Sequence, residues 1–344
     1  LPVGKRDFSY TPIYVRDEEL IMTELYPLKL RGIPVNMLWG GSRLRDRFRK
    51  PGATCKTGET WELSVRPDRV NIIENGAYTG LTLEDFFSKA GNKVVSEDYE
   101  GGRFPLLIKF IDAADDLSIQ VHPDNEYAAH VECDFGKTEM WYIIDAKPGA
   151  GIIYGLGEGC AKDDLKRALE AGVPGEALNF VKVKPGDSFF IPAGLVHAIG
   201  RGVFIAEIQQ NCDLTYRVYD YGRLGLGGKP RELHTKKAFD VIYPYTHEEI
   251  ERMRFSASVP GKRDRSVLSH CEYFKTLKLD ISRPVDLFSG SESFHSLLCI
   301  SGGGTIECGG GAYYISAGDS WFVPAGTGHY RLSGRFCVLL TTLK

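Results

Sequence analysis

The chain has 344 residues, 43% hydrophobic and 25% charged, the proportions of a soluble globular protein long enough for two domains. Its net charge of −3 provides no global positive field to recruit nucleic acid or an anionic membrane, so an anionic ligand must be met by a local cluster of Lys and Arg. Eight Cys without a Cys-x-x-Cys pair read as reduced thiols; residues 1–20 lack the apolar core of a leader, and no apolar run approaches the roughly 20 residues that span a bilayer, so a cytoplasmic protein is expected.

Taken in chain order, "TLEDFFSKAG" (82–91) predicts a helix, with Thr82 as N-cap, acids in the first turn and a Gly stop. Short runs rich in Ile, Val, Phe and Tyr, bounded by turn residues, predict strands at 103–113, 117–123, 139–145, 188–193 and 335–343. "KDDLKRALEAG" (162–172) repeats the helix grammar, and "THEEIERM" (246–253) is a shorter version of it. The Gly-rich stretch 219–234 reads as an ordered loop. Composition turns polar and basic at 256–266, and we place a domain boundary just before it, giving units 1–245 and 246–344.

Two segments repeat one another. "KPGDSFFIPAGLVHAIG" (184–200) and "SAGDSWFVPAGTGHYRL" (316–332) share Gly-Asp-Ser, an aromatic pair, Pro-Ala-Gly and a His five residues after the Pro. This turn, strand, turn and His-bearing strand resembles the second motif of the cupins. The resemblance implies a mainly β chain with two jelly-roll barrels and a few short helices.

Such a barrel binds metal with one His from this motif and further ligands from an earlier strand pair. In "LSIQVHPDNE" (117–126), Gln120 and His122 are two apart and share one face of a strand, with Leu117, Ile119 and Val121 expected on the other. Glu139 opens a strongly apolar strand, where a carboxylate is costly to bury without a partner. Gln120, His122, Glu139 and His197 make an N2O2 donor set suited to one Zn²⁺ with an open position. The second copy has no Gln-x-His pair before it, and His295 falls where Glu139 would be, so His329 is expected to hold no metal.

The segments "LWGG" (38–41), "GETWELS" (58–64), "QVHPDN", "GKTEMWYI", "PAGLVHAIG" and "NCDLTYRVYDYGR" together resemble the type I mannose-6-phosphate isomerases in their short two-domain bacterial form. That resemblance implies a zinc-dependent aldose–ketose isomerase of the cytoplasm, the same four metal ligands, and a catalytic arginine at Arg217. Some longer members carry His before the motif Lys; here the position is Gly136, so no step can be assigned to that side chain. Without the resemblance, Arg217 would read as a structural partner of Asp213 or Asp220.

The isomerisation needs a base as well as charge stabilisation. Glu207, Lys137 and Lys109 are candidates, Lys109 reading equally well as a snorkelling edge residue. Lys137, Arg217 and Arg223 are candidates for a sugar phosphate, and Trp39 and Trp61 either line the sugar site or pack in the core. Neither nucleic acid nor membrane is expected as a partner, and an oligomer is compatible with the chain. Two other readings share parts of this pattern: an Fe²⁺ oxygenase using His122, His197 and Glu139, and a sugar-phosphate sensor without catalysis.

Overall fold

The structure, a computed structural model, describes residues 25–225, 228–256 and 265–344. The leader reading of residues 1–20 and most of the basic stretch at 256–266 lie outside these residues. Three large sheets dominate. A seven-stranded antiparallel sheet runs in the order Arg254–Ser256, Asp187–Ile191, Glu139–Ala146, Val203–Gln210, Leu106–Asp112, Thr57–Leu63, Ile33–Gly41. A five-stranded sheet runs Leu178–Lys182, Gly151–Leu156, His197–Ile199, Ile119–Val121, Tyr216–Tyr219. A nine-stranded sheet holds the C-terminal strands together with Leu28–Arg31 and Ile72–Ile73 from the N-terminal part. The fold is mainly β, and the hydrogen-bonded path of each sheet is open among the described residues.

The seven-stranded sheet is covered on both faces. Phe110, Met140, Tyr142, Phe204 and Ile208 pack with Phe86, Phe294, Phe322 and Leu339, toward the nine-stranded sheet. Ile111, Trp141, Ile143 and Ile205 take the other face with Ile152, Tyr154 and Ile199 of the five-stranded sheet. Double coverage explains why Val203–Gln210 is buried at every position rather than at alternate ones.

The three expected helices form at Leu83–Ala90, Lys162–Glu170 and His247–Arg252. Thr82 and Thr246 cap theirs through reciprocal boxes with Asp85 and Glu249. A helix at Asn125–Glu132 was not expected; Asp124 caps it by accepting from the Tyr127 amide. No helix among the described residues is long and apolar enough to cross a membrane.

The sequence repeat is a structural repeat. Asp187 accepts from the Lys184 amide and Asp319 from the Ser316 amide, each closing a turn whose Gly (Gly186, φ 96°; Gly318, φ 94°) needs positive φ. Leu195 donates to the Pro192 carbonyl as Thr327 does to Pro324. Glu139 pairs with Ile191 and His295 with Val323, so His295 occupies the register position of Glu139.

Candidate metal centre and catalytic cavity

Gln120 stands between two strand partners, opposite His197 on one side and Arg217 on the other. His122 follows the same strand, and Glu139 reaches across from the facing sheet. His122 Nε2 lies 3.2 Å from His197 Nε2 and 3.2 Å from Glu139 Oε1; His197 Nε2 is 3.9 Å from Glu139 Oε2. Among the described residues this is the one group of three such side chains whose ligand atoms all lie within 4.8 Å of one another. Each imidazole donates its Nδ1–H to a carbonyl at 2.7 Å, His122 to Leu214 and His197 to Leu195. That leaves both Nε2 lone pairs facing each other and a carboxylate, with Lys137 Nζ 3.3 Å from His122 Nε2.

This donor set fits a divalent cation. Two lone pairs at 3.2 Å repel without one, and tetrahedral zinc with Zn–N bonds of 2.0–2.1 Å places its nitrogens about 3.3 Å apart. Burial lowers the pKa of both His, to about 3 for His197, which keeps them neutral as ligands. Burial acts to raise the pKa of Glu139, but Lys137 and the two His outweigh it and hold the carboxyl well below its usual range. Lys137 Nζ lies 2.7 Å from Glu139 Oε1, while Glu139 Oε2 is buried with no hydrogen-bond partner among the described residues. Gln120 Nε2 is 3.4 Å from His197 Nε2, and a half-turn of the amide presents Oε1 to the cluster.

Gln120 and Lys137 also line a cavity of about 230 Å³. One row of side chains runs in register from the core into its wall: Trp141, then Glu207, Lys109 and Trp61 in the wall, each opposite the next on adjacent strands. Lys109 is 4% exposed on an inner strand, so it is neither at an edge nor snorkelling. Its Nζ lies 3.6 Å from Glu59, 3.6 Å from Glu207 and 3.7 Å from Asp213. Burial works against its charge, and these three carboxylates reverse the effect and raise its pKa. Glu207 accepts from Trp141 Nε1 at 2.9 Å, and burial together with Glu139 pushes it up to about 7.

Lys137 and Arg217 also line the cavity, as do Trp39 and Trp61, so the predicted sugar-site residues other than Arg223 meet here. Tyr216 and Val218 pack into a core with Ala238 and Ile242, which turns Thr215 and Arg217 inward. Arg217 Nε is buried with no acceptor, and burial followed by neighbouring Arg231 lowers the guanidinium pKa. Two expectations are corrected. Arg223 does not line the cavity; it is tied to Asp220 and to the Asp116 carbonyl. Leu117 lies on the cavity side, because the strand begins only at Ile119 and the alternation does not extend back to it.

Lys137 is placed by a corner built from amides. Gly136 N donates to Asn125 Oδ1, Gln210 Nε2 donates to the same oxygen, and Gln210 Oε1 accepts from Thr138 N. A Cβ on residue 136 would come within 2.4 Å of the Asp124–Asn125 backbone, so this corner requires glycine. The sequence reading missed Glu59, Arg69, Asp213 and Arg231, which line the same cavity. Glu59 was within reach: it lies two residues before Trp61 on one strand and therefore shares its face.

A mainly β fold that brings two neutral imidazoles and a carboxylate together beside a cation-lined cavity has the features of a cupin-class enzyme with a candidate metal site. Residues 28–148 match the family model for the phosphomannose isomerase type I catalytic domain, and residues 264–342 that for the mannose-6-phosphate isomerase cupin domain. The chain is 38% identical to mannose-6-phosphate isomerase ManA of Bacillus subtilis, over 90% of this chain and 96% of that protein. It is 36% identical to a mannose-6-phosphate isomerase of Streptococcus mutans, over 87% and 92%. Its structure matches the crystal structure of the Bacillus subtilis mannose 6-phosphate isomerase with a TM-score of 0.79 at 35% identity, covering 92% of this chain and 99% of that one. The chain belongs to the type I mannose-6-phosphate isomerase family, and the oxygenase and sensor readings are set aside.

Proposed function

We propose that this chain interconverts mannose 6-phosphate and fructose 6-phosphate in the cytoplasm, with one Zn²⁺ held by Gln120, His122, Glu139 and His197. The observation that carries the reading is the meeting of His122 Nε2, His197 Nε2 and Glu139 beside a cavity walled by Lys109, Lys137 and Arg217. When bound, the metal supplies Lewis-acid polarisation of a sugar oxygen.

The chain's own groups account for the rest. The reaction moves a proton between C1 and C2 while a carbonyl oxygen gains negative charge. Glu207, with a pKa of about 7, takes up and returns a proton near neutral pH and is the assigned base. Arg217, directly opposite Gln120, presents a fixed cationic fork to the oxygens that gain charge. Lys137 donates beside them. Lys109 holds Glu207 and Glu59 in place rather than touching the sugar. Arg231 and Arg69, farther along the cavity wall, take the phosphate, and Trp39 and Trp61 pack against the sugar.

The division into units 1–245 and 246–344, each built on a jelly-roll barrel, belongs to the same proposal. The matched turns of the repeat support it, and the Ser320–Val323 strand pairs with Leu28–Arg31 where the units join. In the second unit His329 is exposed against Phe288, and His295 bonds Tyr330 Oη at 2.7 Å; a structural role without metal is assigned to both.

A coupled assay converting mannose 6-phosphate to fructose 6-phosphate, with and without chelator, tests the function. Turnover abolished by chelator and restored by Zn²⁺ is expected. Turnover that persists in metal-free protein removes the metal from the proposal, and no turnover in zinc-loaded protein removes the activity.

A further inference from the structure

A second cavity, of about 430 Å³, opens where the nine-stranded sheet meets the seven-stranded one, and it shares no lining residue with the catalytic cavity. Its walls are cationic. Lys29 and Arg31, two apart on the strand Leu28–Arg31, line one side; Arg47, Arg49 and Lys50 line the other. In a chain of net charge −3, five cations here face two lining carboxylates, Glu74 and Asp319.

The existing ion pairs do not satisfy this wall. Lys29 pairs with Asp319 at 2.9 Å and Arg31 with Glu74 at 2.8 Å, both partly exposed and thus weak. Arg47 reaches exposed Asp145 at 3.3 Å. Lys50 is committed to buried Glu62 at 2.5 Å. Arg49 is exposed, and among the described residues no hydrogen bond or ion pair engages its guanidinium. Its backbone sits at φ 49°, a left-handed conformation unusual for a residue with a side chain. It follows the short helix Arg43–Asp46, where glycine would relieve the strain but contribute no charge to the cavity.

We propose that this cleft is a binding site for a compact phosphate polyanion of the diphosphate class, held between Lys29 and Arg31 on one wall and Arg47 and Arg49 on the other. Opposed cationic walls repel each other when empty and close favourably on a ligand carrying two adjacent anionic groups. An arginine fork binds a phosphate through two parallel hydrogen bonds, and Arg31, Arg47 and Arg49 line the cleft. Location at a junction between sheets is common for ligand cavities, and occupation would tie the two sheets together.

The test uses the metal-loaded full chain and inorganic pyrophosphate as probe, in titration calorimetry with saturating fructose 6-phosphate present to fill the catalytic cavity. Metal content is measured before and after, so that chelation is not read as binding. Saturable one-to-one binding is expected. It should weaken at least tenfold in the Arg47→Glu/Arg49→Glu double variant, whose isomerase kcat/KM should stay within twofold of the parent. Pyrophosphate should also raise the melting temperature of the parent but not of the variant. Absence of saturable binding, or binding that survives both charge reversals, overturns the proposal. Loss of the melting shift in the variant is read without turnover, whereas the kcat/KM comparison and the fructose 6-phosphate block rest on the isomerase reading, so the two failures are distinguishable.

Discussion

Lys109 and Glu207 stand directly opposite each other on adjacent antiparallel strands, and their pair divides a row that runs from Trp141 to Trp61. The row sets what each group does. Trp141 donates to one Glu207 oxygen while Lys109 Nζ lies 3.6 Å from the other, so the carboxyl is oriented from both sides. Lys109 in turn is surrounded by three carboxylates, and its charge permits them to share a buried wall.

Replacing Lys109 with Met should therefore leave like charges facing each other without their cation. We expect a loss of about 3–5 kcal/mol of folding stability, the scale of breaking one side of a buried pair. Urea denaturation checks it, and the double variant Lys109→Met/Glu207→Gln should recover part of the loss. A single variant as stable as the parent would show that the wall does not depend on this charge.

Acidification should strip the metal and weaken the fold. The folded pKa of His197 is lowered from 6.5 to about 3, and that of His122 is lowered as well. Between these limits the unfolded chain binds protons that the folded one refuses, so stability is present above pH 6.5 and is lost as pH falls. Protons compete for the same Nε2 atoms as the cation. Dialysis at stepped pH from 7.5 down to 3, followed by metal analysis, should show metal kept while folded His197 stays neutral and lost as pH approaches 3. Stoichiometric zinc in His122→Ala or His197→Ala would contradict the ligand assignment.

Arg217→Lys should keep the fold and the metal but lose about 2.7 kcal/mol or more of transition-state stabilisation, about a hundredfold in rate. A single ammonium does not reproduce the fork opposite Gln120. Steady-state kinetics on zinc-loaded variant protein decides it, and near-normal turnover would make Arg217 structural.

Arg231→Gln should act on binding rather than on chemistry. Arg231 is held by Asp220, at 2.6 Å from its Nε, and lowers the pKa of Arg217 as a neighbouring like charge. We expect KM for mannose 6-phosphate to rise about tenfold, roughly 1.4 kcal/mol, with kcat little changed. A fall in kcat at constant KM would move Arg231 from the phosphate to the reacting atoms.

What the sequence by itself determined were features written in local order. The cap at Thr82, the short helix within 246–253, the turns around Asp187 and Asp319 and the sharing of a face by Gln120 and His122 follow from residues a few positions apart. The repeat even carried the matched placement of Glu139 and His295. Tertiary structure decided which distant residues meet. Strand register sets Lys109 against Glu207, and the open arrangement of Asp220 with both Arg223 and Arg231 leaves Arg231 rather than Arg223 in the cavity wall. The basic cleft exists only because Leu28–Arg31 crosses to pair with Ser320–Val323. Periodicity fixes the face a side chain takes on its own strand, whereas its neighbours across the sheet depend on pairings between segments far apart in the chain, which no local pattern encodes.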